Sequence, residues 1–299
     1  MLNKEFIQDI ELKRIKTDGS VGPSVVVNGN DVPFFTFSIL QEYQEKVKAI
    51  FTTRLGGVSS GDLSFLNLSF SRGDDPLNVV RNFELVADIM EIDKSQFVCS
   101  NQTHTTNIKV VTDEDKGKGV TKPLDYEDID GLVTNVPGLC LSLFYADCVP
   151  VYFYDPKLSV IGLAHSGWKG TVHQISAKML DCMHTTFGTK KEDVLVAIGP
   201  SICKDCYEVS EDVAMEFMKV YNMDSKKQPI LTKGKTEDKY QLNLWQAIYE
   251  TLVQNGVPES QIQMPDICTC CNPRILFSHR ASGGKRGNLG AFFMLSGCN

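Results

Sequence analysis

The chain has 299 residues, a formal net charge of −7, 42% hydrophobic residues and 22% charged ones, which is ordinary globular composition with enough length for a sizeable core. The acidic balance, with no extended Lys/Arg cluster, excludes a general nucleic-acid binder, because neutralising phosphates needs a basic surface. Ten cysteines follow a charged start, MLNKEFIQDIELKRIK, that lacks the apolar core of an export signal. The expectation is a cytoplasmic protein with reduced thiols.

Taken in chain order, the first clear element is a helix. Asp75-Pro76 supplies a cap and a first-turn proline, and Val79, Val80, Phe83, Val86, Ala87 and Met90 recur at helical spacing. The charged, Gly-containing stretch 113–131 reads as a loop. Strand candidates then crowd together at 131–134, 140–145, 149–154, 159–164 and 194–198. Several are continuously apolar, as strands buried on both faces are. The uncharged segment 132–146 is too short to span a bilayer and contains Asn135 and Pro137, so no membrane partner is expected. Residues 171–187 and 244–254 read as helices, the second stopped by Gly256-Val257-Pro258, and 224–239 reads as a polar surface excursion. No repeat, low-complexity tract or linker divides the chain. The expectation is a single domain, 1–299, of α/β class: a multilayer sandwich with mixed β-sheets.

Two apolar runs break at metal-capable residues: FYADCVPVYFY at Cys148 and VIGLAHSGWKG at His165. A third such residue, His104, lies in SNQTHTTNIKVV. One thiolate and two imidazoles suit Zn²⁺, and three protein ligands leave a fourth position for water or substrate, which distinguishes a catalytic metal from a structural one. Spacing alone leaves the plainer alternative open, a buried thiol and hydrogen-bonded strand-end histidines.

The flanking segments TTRLGGVS, SFLNLSFSRGDDP, NQTH, DGLVTN, YADCVPV, LAHSGWKG, IGPSICKDCYEV and CTCCNPRILFSHRA occur in that order. Together they closely resemble the YfiH/YlmD family, also called the laccase-domain or purine nucleoside phosphorylase family, over residues 50 to 280. The resemblance implies a four-layer α/β fold of the YfiH-like cysteine hydrolase type, and a zinc held by His104, Cys148 and His165, with copper a weaker alternative. It also implies phosphorolysis of adenosine, inosine, guanosine or methylthioadenosine, with adenosine deamination beside it. The partners are then small purine nucleosides and phosphate.

For phosphate, Arg54 is the first choice, since a guanidinium engages it through two hydrogen bonds. Lys169 adds charge, and Trp168 offers a surface for a base; a surface salt bridge and plain packing are the competing roles. Deamination by the better-known zinc deaminases uses a Glu in an H-x-E motif. Neither His104-Thr105-Thr106 nor His165-Ser166-Gly167 contains one, and Asp147, the nearest carboxylate in sequence, needs a local turn to face the same way as Cys148.

Two other classes compete with the phosphorylase. One is an amidase with Cys148 as nucleophile beside a histidine, of the kind the family is associated with in editing peptidoglycan precursors. The other is a copper polyphenol oxidase, disfavoured because the chain has only five histidines. A non-catalytic binding module is the reading left if nothing turns over. The pairs Cys203/Cys206 and Cys268/Cys271 have zinc-ligand spacing, but the long gap between them favours reduced thiols. His173 and His184 read as helix-surface residues.

Overall fold

A computed structural model describes residues 12–15, 22–27, 31–222 and 228–297. Fifteen strands are present among these residues: β1 (Ser24–Val27), β2 (Pro33–Thr36), β3 (Val47–Thr52), β4 (Phe97–Cys99), β5 (Ile108–Val110), β6 (Gly131–Thr134), β7 (Cys140–Tyr145), β8 (Val149–Asp155), β9 (Val160–Ser166), β10 (Leu195–Ile198), β11 (Glu208–Ser210), β12 (Leu231–Lys233), β13 (Lys239–Leu242), β14 (Ile262–Gln263) and β15 (Leu289–Leu295). They form two six-stranded sheets, ordered β1-β2-β3-β15-β7-β4 and β14-β10-β8-β9-β6-β5, and a small sheet β11-β13-β12. Both large sheets mix directions. In the first, β4 joins β7 in parallel and the other pairs are antiparallel; in the second, β5–β6 and β10–β14 are the parallel pairs.

The alternation of side chains across each strand explains the layering. From β8, Val151 and Phe153 pack outward with the helices, whereas Tyr152 and Tyr154 turn inward. There they meet Phe35, Phe51, Leu141 and Phe293 of the first sheet. Helix α1 (Pro76–Met90) covers that sheet's outer face through Val79, Phe83 and Val86 against Ile50, Phe97 and Phe292. On the opposite side α2 (Trp168–Val172), α3 (Ile175–Phe187) and α5 (Leu244–Gln254) cover the second sheet. The order helix, sheet, sheet, helix is the expected mixed α/β sandwich. Two shorter or peripheral helices, α4 (Glu211–Val220) and α6 (His279–Ser282), complete the set.

Local chemistry accounts for the boundaries. The Asp75 side chain accepts from the Leu77 amide, and Pro76 sits in the first turn. The stretch read as one helix over 171–187 is divided instead: Gln174 takes a left-handed φ of 58° between α2 and α3. Its first turn is tied back by the Thr171 hydroxyl, which donates to the Gly167 carbonyl at 2.9 Å. The polar stretch 224–239 also differs from expectation. Residues 224–227 lie outside the described residues, and 231–233 form β12, paired with β13. Most of the charged N-terminal stretch likewise lies outside them. No helix of the described residues is long and apolar enough to cross a membrane.

Candidate metal centre

Strand β7 belongs to one sheet and β8 to the other, so Ala146-Asp147-Cys148 is the chain's step between sheets. Asp147 makes that step with a φ of 91°. The turn aims its carboxylate away from the Cys148 thiol, toward the Thr269 hydroxyl at 2.6 Å and the Arg280 amide at 2.7 Å. Cys148 is left at the lip of β8. His165 is brought beside it by the β8–β9 ladder, where Pro150 pairs with His165. His104 arrives from the β4–β5 loop. The potential ligand atoms of His104, Cys148 and His165 lie within 4.8 Å of one another.

The loop carrying His104 is pinned at several points. Gln102 exchanges two 2.7 Å hydrogen bonds with the backbone of Phe144 on β7. His104 itself holds a φ of 67°, uncommon for a residue with a Cβ and persistent only where surroundings enforce it. The enforcing group is Asp130, fully buried at the start of β6. Its carboxylate accepts the amides of Thr103, His104 and Thr105 at 3.2, 3.1 and 2.7 Å, the Thr105 hydroxyl at 2.8 Å, and bonds His165 Nδ1 at 2.7 Å. With Nδ1 committed, His165 presents Nε2 toward Cys148. A carboxylate behind a histidine is the usual outer partner of a metal-ligating imidazole, so the donor set fits a metal such as zinc. Gly167 closes the back: a Cβ there would come within 2.8 Å of His104 Cδ2 and 3.1 Å of Cys148 Sγ.

The same contacts set the charges. Burial alone would hold Cys148 neutral, but the neighbouring His165 and His104 overcome it and lower the thiol to about 6. Burial alone would keep His165 neutral too, yet the Cys148 charge and the Asp130 hydrogen bond raise it to about 9. Asp130 moves below the usual carboxylate range, because its hydrogen bonds with His165 and Thr105 outweigh the cost of burial.

The trio opens onto a cleft of about 310 Å³, walled by Leu68, Leu124, Phe144 and Tyr145 and bordered by Arg72 and Arg286. Neither arginine has an ion-pair partner among the described residues. Arg286 donates to Asn288, while its buried Nε and the buried Ser100 hydroxyl find no acceptor or donor there. Burial and the like charge of Arg72 lower Arg286 to about 10. A larger groove of about 760 Å³, bordered by β1, β2 and β3, contains no histidine or cysteine; metal chemistry has no donors of that kind there.

The other residues singled out in the sequence stand apart. Arg54 is half-buried, donating to the carbonyls of Ser64 at 2.7 Å and Pro273 at 3.0 Å, with its guanidinium over Phe277. Trp168 packs against the helical core, Lys169 Nζ lies 5.7 Å from its ring, and neither lines the cleft. His173 and His184 are exposed and sit on either side of the helix break. Sequence reasoning passed over Asp130, Arg72 and Arg286, although all three fall in or near quoted motifs; a carboxylate opening an apolar strand was the available signal for the first.

The sequence family described as "Multi-copper polyphenol oxidoreductase laccase" matches residues 48–296. The chain belongs to this family. A relative from Bacillus subtilis strain 168, named purine nucleoside phosphorylase YlmD, is 35% identical over 249 residues, covering 83% of this chain and 88% of that one. Among solved structures, the hypothetical protein YfiH of Bacillus licheniformis superposes with a TM-score of 0.82 at 35% identity, over 88% of this chain and 96% of its own. YlmD from Geobacillus stearothermophilus gives 0.81 at 29% identity, over 96% and 100%. The YfiH/YlmD resemblance read from the motifs and the mixed α/β fold both hold.

Proposed function

We propose that this protein is a zinc-dependent purine nucleoside phosphorylase, with His104, Cys148 and His165 as metal ligands and the adjoining cleft as the nucleoside and phosphate site. The observation that carries the reading is the juxtaposition, in one cleft, of a three-donor metal set and two arginines without ion-pair partners among the described residues. The name of the B. subtilis relative supports the substrate class. In phosphorolysis the ribose C1′–N bond breaks, a phosphate oxygen bonds to C1′, and the purine leaves after gaining a proton. In this reading Arg72 and Arg286, which border the cleft, hold the phosphate dianion, a role for which guanidinium geometry is suited. Arg54, bonded to two carbonyls, supports the loop instead. Phe144 and Leu124 give the purine an apolar wall. A zinc ion bound by the trio would supply Lewis-acid polarisation of a substrate atom. Adenosine deamination belongs to the same reading as a side activity, and Asp147, turned toward Thr269 and Arg280, is not placed as its proton carrier.

The test is turnover of adenosine, inosine and methylthioadenosine by metal-quantified protein with and without phosphate. Free base and ribose-1-phosphate are expected only with phosphate, and Arg286→Gln is expected to raise the phosphate KM more than it lowers kcat. Base release independent of phosphate, or no turnover by zinc-loaded protein, overturns the proposal. One observation favours a second reading: His165 links Cys148 to Asp130 in the order of a Cys-His-Asp nucleophile system. An amidase of that kind would work without metal and be inactivated by alkylation of Cys148.

A further inference from the structure

The fold joins the two Cys-x-x-Cys pairs that the sequence holds far apart. Cys203 and Cys206 lie on the turn after β10, and Cys268 and Cys271 on the turn after β14. Between these turns Ser201 bridges to Cys268; the Ser201 amide donates to the Ile267 carbonyl, and the Thr269 amide returns a bond to the Ser201 carbonyl at 3.1 Å. The four sulfurs consequently lie within 4.8 Å of one another, and those of Cys206 and Cys271 are 3.5 Å apart. Zinc–sulfur bonds of about 2.3 Å in a tetrahedron place sulfurs about 3.8 Å apart. The cluster is thus near the required size before any ion binds. The Cys203 amide also donates to Cys268 Sγ at 3.2 Å, as an outer hydrogen bond to a metal-bound thiolate would. Cys203 and Cys268 are buried, Cys206 and Cys271 half-buried.

We propose that Cys203, Cys206, Cys268 and Cys271 form a second, structural metal site that binds Zn²⁺ through four thiolates. Binding displaces four thiol protons and forms four Zn–S bonds, with no redox change. Four protein ligands leave no position for substrate, so the ion's work is mechanical. The same two turns grip the step between the sheets: the Ile202 amide donates to the Asp147 carbonyl at 2.9 Å and the Thr269 hydroxyl to its carboxylate. Fixing the turns together fixes the residue that precedes Cys148. This proposal is independent of the reaction proposed for the cleft.

The experiment is zinc stoichiometry by native mass spectrometry and elemental analysis, on protein prepared under reducing conditions, beside Cys148→Ala and Cys206→Ser. Two zinc ions per chain are expected in the parent protein, and one in each variant. The ion left in Cys148→Ala is expected to shield four thiols from alkylation and to give a tetrathiolate charge-transfer spectrum when exchanged for cobalt. At most one zinc in the fully loaded parent, lost altogether in Cys148→Ala, overturns the proposal. So does free alkylation of the four thiols in zinc-loaded protein, a measurement that needs no variant to fold. Iron in place of zinc would sink the assignment of the ion.

Discussion

Two clusters of sulfur and nitrogen donors sit on either side of the Ala146-Asp147-Cys148 step, and they are built on opposite principles. The His104, Cys148 and His165 cluster mixes donor types, draws each from a different segment and opens onto a cleft. It depends on a left-handed histidine and a buried aspartate to hold its shape. The Cys203, Cys206, Cys268 and Cys271 cluster is all sulfur, comes from two Cys-x-x-Cys turns and packs into the helical core. Three donors with an open side suit chemistry, and four closed ones suit structure. A chain with both can place reactivity at a strained point because a rigid one stands behind it.

Asp130→Ala tests the strained side most severely. The substitution leaves His165 without its carboxylate and three amides without an acceptor. Breaking a buried charged pair in this way costs roughly 3–5 kcal/mol, to be read from denaturant unfolding of zinc-free protein. Zinc at the trio should weaken by about 10–100-fold, as loss of a metal's outer-shell partner does, while the tetrathiolate ion stays. Equal loss of both ions would mean the clusters are not separately built.

How much of this contrast was legible beforehand follows from the range of the interactions. The trio stood out because Cys148 and His165 interrupt apolar strands, which is a local signal. The strands β6 to β10 were legible for the same reason, and so was α1 from its cap and period. The strand ahead of Arg54 and the two that flank His104, β3, β4 and β5, were legible as well; β1 and β2 were not, nor was β15, whose place at the centre of the first sheet depends on pairing with β3 and β7. Pairing partners leave no mark on a continuously apolar run. The four cysteines were visible as two pairs, but the Ser201–Cys268 bridge that unites them is a tertiary fact. Asp130 and Arg286 were hidden similarly: their roles lie in what the fold sets opposite them. Arg54, chosen for its motif, is occupied by the carbonyls of Ser64 and Pro273.

A gentler probe adds one methyl group. Gly167→Ala would press on His104 and Cys148 and touches neither cysteine pair. Zinc affinity of the trio is expected to fall on the order of 10-fold, with thermal stability of the tetrathiolate-loaded protein little changed. An unaltered affinity, measured by chelator competition, would show that the histidine ring has room to move.

Protonation separates the clusters further. In protein stripped of zinc, Cys148 is lowered to about 6, so its alkylation rate should hold from pH 9 downward and fall through pH 6. A lowered acid stabilises the fold above its unfolded value, and that contribution disappears as pH drops through about 6. His165, raised to about 9, has the opposite sign: its contribution is complete below its unfolded value and disappears as pH climbs through about 9. The thiolate–imidazolium pair therefore supports the zinc-free fold between these limits. A flat alkylation profile from pH 5 to 9 would refute it.

The smallest expected effect concerns the fifth thiol of the second region. Cys270 lies between Cys268 and Cys271 in sequence but does not belong to the group of four mutually close sulfurs. Cys268 and Cys271 meet the Cys203/Cys206 turn, the Cys270 thiol interacts with Cys206 and Ser278, and the chain reverses across it, with the Asn272 amide donating to the Thr269 carbonyl at 3.2 Å. Four thiolates already complete a tetrahedral ion, so the metal does not need a fifth. Cys270→Ser keeps a hydroxyl in place of the thiol and should therefore keep both zinc ions, with a stability change of about 1 kcal/mol, the usual size for a point substitution. Loss of one zinc would instead place Cys270 among the ligands and displace one of its neighbours. The closed tetrahedron would then rest on adjacent cysteines, a spacing that two Cys-x-x-Cys turns do not require.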